Sequence, residues 1–226
     1  MTERFGWIWV VPRPGEYYDF ESFLDPIAPD LSWVGAEHMQ VMQSDEILCR
    51  ANWKTIVEGG IEAYHFKVAH ADTIGPHFLD NLSTYQMFGP HMRSVLARSS
   101  LPRLRELPQD EWDIRADTNI LYSLFPIDQL LLTEDHLAWV HLAPLSAGET
   151  LIRLSTVAPR DGMPGREAHW ARNHRITCTT LTEDFVIAEG VQAGISSGAN
   201  DVLTFGRYEG ALHSFAQQVA AALNAA

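Results

Sequence analysis

The sequence predicts an α+β fold, with helices segregated from a mainly antiparallel run of strands. Three observations predict it. Between Asp117 and Val157, four strand-like segments follow one another: "TNILYSLF", "QLLLTED", "LAWVHLAPL" and "TLIRLSTVAP". Turns such as Ser146-Ala147-Gly148 separate some of them. Helical text is confined to three other stretches, at about 53–68, 164–190 and 208–223. No internal repeat, low-complexity tract or linker divides the chain, so residues 1–226 read as a single domain.

The elements follow in order. "GWIWVV" is aromatic and β-branched and is stopped by "PRPG", which predicts a strand and a turn. Such an apolar strand normally follows something it pairs with, yet this one begins almost at residue 1. Residues 17–35, with Pro26 and Pro29, read as loop. "AEHMQVMQ" and "EILCRA" flank Ser44-Asp45 and suggest a hairpin. A helix from Trp53 to Val68 follows, with Asn52 as its N-cap. "TYQMFGPHMRSVLAR" reads as two strands broken at Gly89-Pro90. Pro164 opens the second helix. Leu212, Phe215, Val219 and Leu223 lie at helical spacing on the third, which should lay this apolar stripe on the sheet.

Composition excludes several classes. The formal net charge is −13, and no Lys/Arg cluster reverses it locally, which opposes nucleic-acid backbones and anionic membranes. Nothing approaches the roughly 18 continuous apolar residues of a membrane span. The N-terminal apolar run lacks a signal-peptide core and cleavage site, so the expected compartment is the cytoplasm. Two cysteines, Cys49 and Cys178, cannot build a disulfide framework or a Cys-rich cluster, and buried thiols are the plainer reading.

Three histidine pairs are spaced five apart: His65/His70, His136/His141 and His169/His174. An odd separation in a strand sends His136 and His141 to opposite faces. On a helix, His169 and His174 stand roughly 140° apart, among Arg166, Arg172 and Arg175, where solvated or salt-bridged rings are expected. His65 and His70 differ because Gly75-Pro76 follows them, and a helix ending between them can swing His70 back toward His65. Glu62 lies one turn before His65 on the same face, and Glu58 one turn further back. Two His and a carboxylate suit Zn²⁺ or Fe²⁺, although ordinary polar residues around a helix end would look the same.

"NWKTIVEGGIEAYHFKVAH" (52–70) and "LTEDFVIAEGVQAGISS" (181–197) together resemble the two signatures of Rieske-type aromatic-ring-hydroxylating oxygenase α subunits, in their catalytic domain. "GRYEGALHSF" resembles the start of that family's closing helix. The resemblance implies a helix-grip fold, a curved antiparallel sheet wrapped around a long C-terminal helix. It implies His65, His70 and Asp184 as ligands of a mononuclear Fe²⁺ with open positions for O₂. Glu62 would stand where a carboxylate links that iron to an electron-donating cluster.

Two departures accompany it. Gly59-Gly60 replaces the usual Asn after Glu58 and places two glycines inside a helix, which calls for close approach of another element or for substrate room. The chain also lacks the C-x-H and C-x-x-H pairs of a [2Fe–2S] Rieske domain and begins about where that domain would end. Electrons are therefore expected from a Rieske domain or a ferredoxin/reductase outside this chain, and a homotrimer is the assembly implied. The expected substrate is small and organic, aromatic ones included. The acidic charge with Trp53, Tyr64, Phe66, Trp139 and Phe185 would also suit a cation. Two alternatives stay open: a helix-grip binding protein without oxygen chemistry, and a zinc hydrolase with Glu62 as general base.

Overall fold

A computed structural model describes residues 1–161, 165–199 and 202–225, with the side chains of Asp80, Asn81 and Ala225 left aside. The chain runs β1 (Thr2–Arg4), β2 (Trp7–Trp9), α1 (Phe20–Leu24), α2 (Ala28–Val34), β3 (Met39–Cys49), α3 (Trp53–Ile61) and α4 (Phe66–Ala69). It continues through β4 (Phe78–Phe88), β5 (His91–Arg98), α5 (Ile114–Asp117), β6 (Thr118–Leu124), β7 (Asp128–Leu132), β8 (Leu137–Ser146) and β9 (Glu149–Pro159). Two helices close it, α6 (Glu167–Ser196) and α7 (Gly210–Ala225). Pro164, read as the opening of the second helix, lies outside the described residues.

Seven strands form one antiparallel sheet in the order β3-β9-β8-β7-β6-β5-β4. Side chains along its strands alternate between two faces, apart from register shifts in β3, β4 and β8. Ala138, Val140 and Leu142 of β8 join Ile152 and Leu154 of β9 on the face that carries α3, α6 and α7. Leu137 and Val157 point the other way, onto Leu24, Ile27, Leu31 and Val34 of the N-terminal helical layer. The sheet is thus the middle of three layers, and the α+β reading holds.

Several expectations need correction. Ser44-Asp45 is no hairpin turn: β3 is continuous and pairs with β9 from Met39↔Pro159 to Cys49↔Thr150, with one bulge between Val41 and Gln43. A partner strand of equal length holds the segment extended despite its polar centre. The supposed loop at 17–35 contains α1 and α2. Asp19 accepts the Ser22 N–H at 3.1 Å to cap α1, and Pro29 sits in the first turn of α2, where its missing N–H costs nothing. "GWIWVV" contributes only Trp7–Trp9, which pairs with Thr2–Arg4, so its partner precedes it within the first residues.

The closing helix starts at Gly210, not Tyr208. Leu212, Phe215 and Val219 pack into the core while Leu223 is exposed. Phe215 is 5% exposed and meets Trp53 of α3 and Phe125 edge-on, so α7 grips α3 as well as the sheet. The longer crossing element is α6, whose 30 residues span about 45 Å.

Candidate metal centre

Asn52 caps α3, its side chain accepting the Lys54 N–H at 3.0 Å. The helix then stops at Ile61, well short of Val68. Glu62 takes an extended conformation (φ −88°, ψ 124°) one residue beyond Gly59-Gly60, where helical propensity is weakest. The expected one-turn stacking of Glu62 beneath His65 therefore does not occur. Glu62 instead reaches across the break: its Oε1 accepts the His65 backbone N–H at 3.0 Å and its Oε2 lies 2.8 Å from His65 Nδ1. The short α4 then carries the chain to His70 at its C-terminal end.

This break brings the two rings together. His65 Nε2 and His70 Nε2 are 3.2 Å apart. Asp184, near the middle of α6, places Oδ1 3.4 Å from His65 Nε2 and 3.0 Å from His70 Nε2. Asp184 is half-buried against both rings. His70 is buried, and Phe66 packs edge-on against both imidazoles.

Each ring's second nitrogen is tied to a carboxylate. Glu62 holds His65, and Glu183 Oε2 lies 2.6 Å from His70 Nδ1 while also accepting the Thr73 hydroxyl at 2.8 Å. With Nδ1–H donating on both rings, both Nε2 lone pairs and Asp184 Oδ1 turn toward one point. Such a point needs a cation or protons. Burial alone would depress His65, but the Asp184 and Glu62 carboxylates outweigh it and push the ring up to about 9. Burial likewise opposes His70, which Asp184 and Glu183 raise. Burial would lift Asp184, and the two rings hold its carboxyl below the usual range. Two imidazoles and a carboxylate on this spacing suit Fe²⁺ or Zn²⁺ as a three-ligand, open-sided set.

Glu183 was missed as a site residue. It stands beside Asp184 in the second motif, but nothing in that motif says that it meets His70. The remaining histidine pairs separate as follows. His136 precedes β8 instead of lying within it. Of the two states expected for His169 and His174, the carboxylate pair is the one found: His169 Nε2 lies 3.0 Å from Asp135 Oδ2 and His174 Nε2 lies 3.1 Å from Asp45 Oδ2. His174 is nevertheless wholly buried and not on the surface, because its face of α6 packs on β3 and β9.

A cavity of about 600 Å³ opens beside Glu62, lined by Ile61, Tyr64, Tyr85, Ser94 and Tyr208 among others. The Tyr64 hydroxyl donates to Glu209, which also accepts the Gly206 N–H. That bond, with burial, pushes the Tyr64 phenol up to about 12. Of the aromatics singled out in the sequence, only Tyr64 lines this cavity. Trp53 and Phe185 are in the core, and Trp139 faces the opposite layer against Trp7, with ring centroids 4.8 Å apart. The glycine pair also resolves: a Cβ on Gly60 would fall 2.5 Å from the Gln129 amide, whereas one on Gly59 would meet nothing within 4 Å.

An antiparallel sheet gripped by helices, with two histidines and an aspartate converging where α3 and α4 meet α6, defines a class of carboxylate–imidazole α+β domains. The family model described as the ring hydroxylating alpha subunit (catalytic domain) matches residues 36–225, and the chain belongs to that family. No curated protein sequence matches it. Among solved structures it is similar to the quaternary ammonium Rieske monooxygenase CntA in complex with an inhibitor (TM-score 0.68, 15% identity, 91% of this chain and 56% of that one). It is also similar to naphthalene 1,2-dioxygenase from Rhodococcus sp. bound to indole (0.56, 12%, 78% and 50%). A third match is dicamba monooxygenase bound to 3,6-dichlorosalicylic acid (0.59, 11%, 85% and 63%). At these identities the likeness shows the fold, and the chain spans only 50–63% of the lengths of those structures.

Proposed function

We propose that this chain is the catalytic domain of a Rieske-type non-heme iron oxygenase, an oxidoreductase that hydroxylates or demethylates a small organic substrate. His65, His70 and Asp184 would hold one Fe²⁺. When bound, that ion supplies one-electron chemistry toward O₂, which neither imidazole nor carboxylate can supply. The observation that carries the reading is the pairing of Glu62 and Glu183 with the outer nitrogens of the two rings. They fix the tautomers, so both Nε2 lone pairs are pre-aimed with no reorganisation.

Glu62 has a second role in this reading. It touches His65 on one side and lines the open cavity on the other, which suits a route for electrons arriving from a Rieske [2Fe–2S] centre outside this chain. Neither Cys49 nor Cys178 belongs to a C-x-H or C-x-x-H pair, so residues 1–226 cannot hold that cluster themselves. The matched monooxygenase CntA is described with inter-subunit electron transfer, which supports a homotrimer in which a Rieske centre outside residues 1–226 of one subunit faces its neighbour's iron. Among the described residues no helix is long and apolar enough to cross a membrane.

For the substrate, the cavity joins three tyrosines, Tyr64, Tyr85 and Tyr208, to the carboxylates of Glu62 and Glu209. Aromatic faces with nearby negative charge attract organic cations. The matched monooxygenase CntA is described with L-carnitine and γ-butyrobetaine as substrates, which agrees with that preference.

Metal analysis tests the reading against its rivals. After anaerobic loading with Fe²⁺ and Zn²⁺ in competition, about one iron per chain is expected, with NADH-driven turnover only when a reductase and a separate Rieske protein are both added. Zinc retention with hydrolytic activity would favour the hydrolase. A site that takes neither metal would leave a ligand-binding domain.

A further inference from the structure

Two other clusters among the described residues bring three metal-ligating side chains within 4.8 Å of one another. In the first, Asp135 faces His136 and His169, but Arg166 Nη2 already lies 2.6 Å from Asp135 Oδ2. A permanent guanidinium occupies the place a metal would need. The second cluster, Asp45, His174 and Cys178, contains no such cation: among the described residues Asp45 makes its only ion pair with His174.

The cluster is built by regular elements. His174 and Cys178 are four residues apart on α6 and so share one face. Asp45 projects from β3, on which that face packs. His174 Nε2 lies 3.1 Å from Asp45 Oδ2, and Cys178 Sγ lies 3.8 Å from the same oxygen. The His174 ring is completely buried, and its Nδ1 is 2.8 Å from the buried Thr156 hydroxyl. Thr156 can accept from the Nδ1–H tautomer, which turns the Nε2 lone pair onto the carboxylate. A proton or a cation must then lie between them.

We propose that Asp45, His174 and Cys178 form a second divalent-cation site, of zinc type, that ties α6 to β3. The donor set selects the ion. A thiolate with an imidazole and one carboxylate favours Zn²⁺ over Mg²⁺ or Ca²⁺, which prefer all-oxygen shells. Three protein ligands leave the fourth tetrahedral position to water, and Asp45 is exposed enough to admit it. Thr156 orients the imidazole as an outer partner does at metal-bound histidines. Ligation replaces the S–H bond of Cys178 by an S–Zn bond and releases the proton to solvent, with no change of oxidation state. Cys178 lies fewer than two turns before Asp184 on the same helix, so the tie would steady the helix that carries the first site's carboxylates.

Cobalt(II) is the probe, because thiolate ligation gives it an intense near-ultraviolet charge-transfer band that His and Asp ligation does not. Titration of the chain should show two equivalents bound, one with that band. Cys178→Ser and Asp45→Ala should each lose the banded equivalent, or weaken it at least ten-fold, while retaining the other. The double variant His65→Ala/His70→Ala should keep the band. No band in the wild-type chain at saturating cobalt, or a band that survives Cys178→Ser, would overturn the proposal. Should Cys178→Ser fail to fold by circular dichroism, Asp45→Ala carries the test, because its side chain is half-exposed.

Discussion

Glu183 and Asp184 hold the same imidazole from opposite sides: Glu183 Oε2 lies 2.6 Å from His70 Nδ1, and Asp184 Oδ1 lies 3.0 Å from His70 Nε2. Adjacent residues on a helix point about 100° apart, and this divergence lets the pair enclose one ring. Glu183→Gln keeps an acceptor of similar shape but removes the charge that polarises His70. Loss of such an outer partner typically costs about 10- to 100-fold in metal affinity. Iron affinity, measured by competition with a chromogenic chelator, is expected to fall within that range. Unchanged affinity would mean that Glu183 only fills space.

Glu62→Gln should behave differently, although Glu62 makes the equivalent bond to His65. His70 is buried beneath Glu183, whereas the His65 side chain keeps 18% of its surface exposed, so that water can replace part of what Glu62 supplies. Iron affinity is expected to fall less than in Glu183→Gln. Partner-driven turnover should drop about 10-fold or more, on the scale of a misplaced catalytic contact. Full iron release by Glu62→Gln would instead make Glu62 a ligand.

Gly59 and Gly60 are neighbours in one helix, yet alanine should act on them with opposite sign. At Gly59 nothing lies within 4 Å of an added Cβ, so alanine should stabilise by about 0.5–1 kcal/mol through helix propensity. At Gly60 the new carbon meets the Gln129 amide at 2.5 Å. Gln129 is buried and donates to the Val57 carbonyl at 3.1 Å, so it has no slack to give. Overpacking there should cost about 1–3 kcal/mol. Urea midpoints of the two variants, read against the wild type, check both signs.

Much of this architecture was legible where a pattern is local. The strands from β6 to β9 announced themselves by alternation and turn residues, and the paired motifs pointed to His65, His70 and Asp184, whose ligand atoms lie within 4.8 Å of one another. What escaped depends on distant partners. Pro26 and Pro29 look like loop signals until one sees them in the first turns of helical segments, where proline is harmless. Ser44-Asp45 looks like a turn until β9 pairs through it, Ser44 Oγ sitting 2.9 Å from Ser155 Oγ. Trp139 could line a cavity by composition, but one residue of register sends it to the other face. Glu183 carried no separate signal, because a ring's outer nitrogen acquires its partner only in three dimensions.

His91 belongs to none of the three histidine clusters and should make the fold sensitive to acid. It is completely buried at the start of β5, its Nε2–H donating to the Phe23 carbonyl at 2.9 Å. Its Nδ1 accepts the Phe125 N–H at 3.2 Å. Both bonds are made by the neutral ring alone, since protonating Nδ1 would remove the acceptor. Burial accordingly depresses this imidazole below its ordinary value, against a smaller lift from the Phe23 carbonyl. The sign follows from proton binding. Below about pH 6.5 the unfolded chain takes up a proton at this position that the folded chain refuses. The stabilisation is therefore complete above that pH and is lost as pH falls toward the folded ring's own titration. His91→Asn keeps an acceptor near Nδ1 but loses the bond to Phe23, so it should be less stable at pH 7.5 by about 1–3 kcal/mol. Its stability should also decline less than the wild type's between pH 7.5 and 5.5, as measured by urea unfolding at each pH. An equal decline would assign the acid sensitivity elsewhere, with His136, also depressed by burial, the next residue to replace.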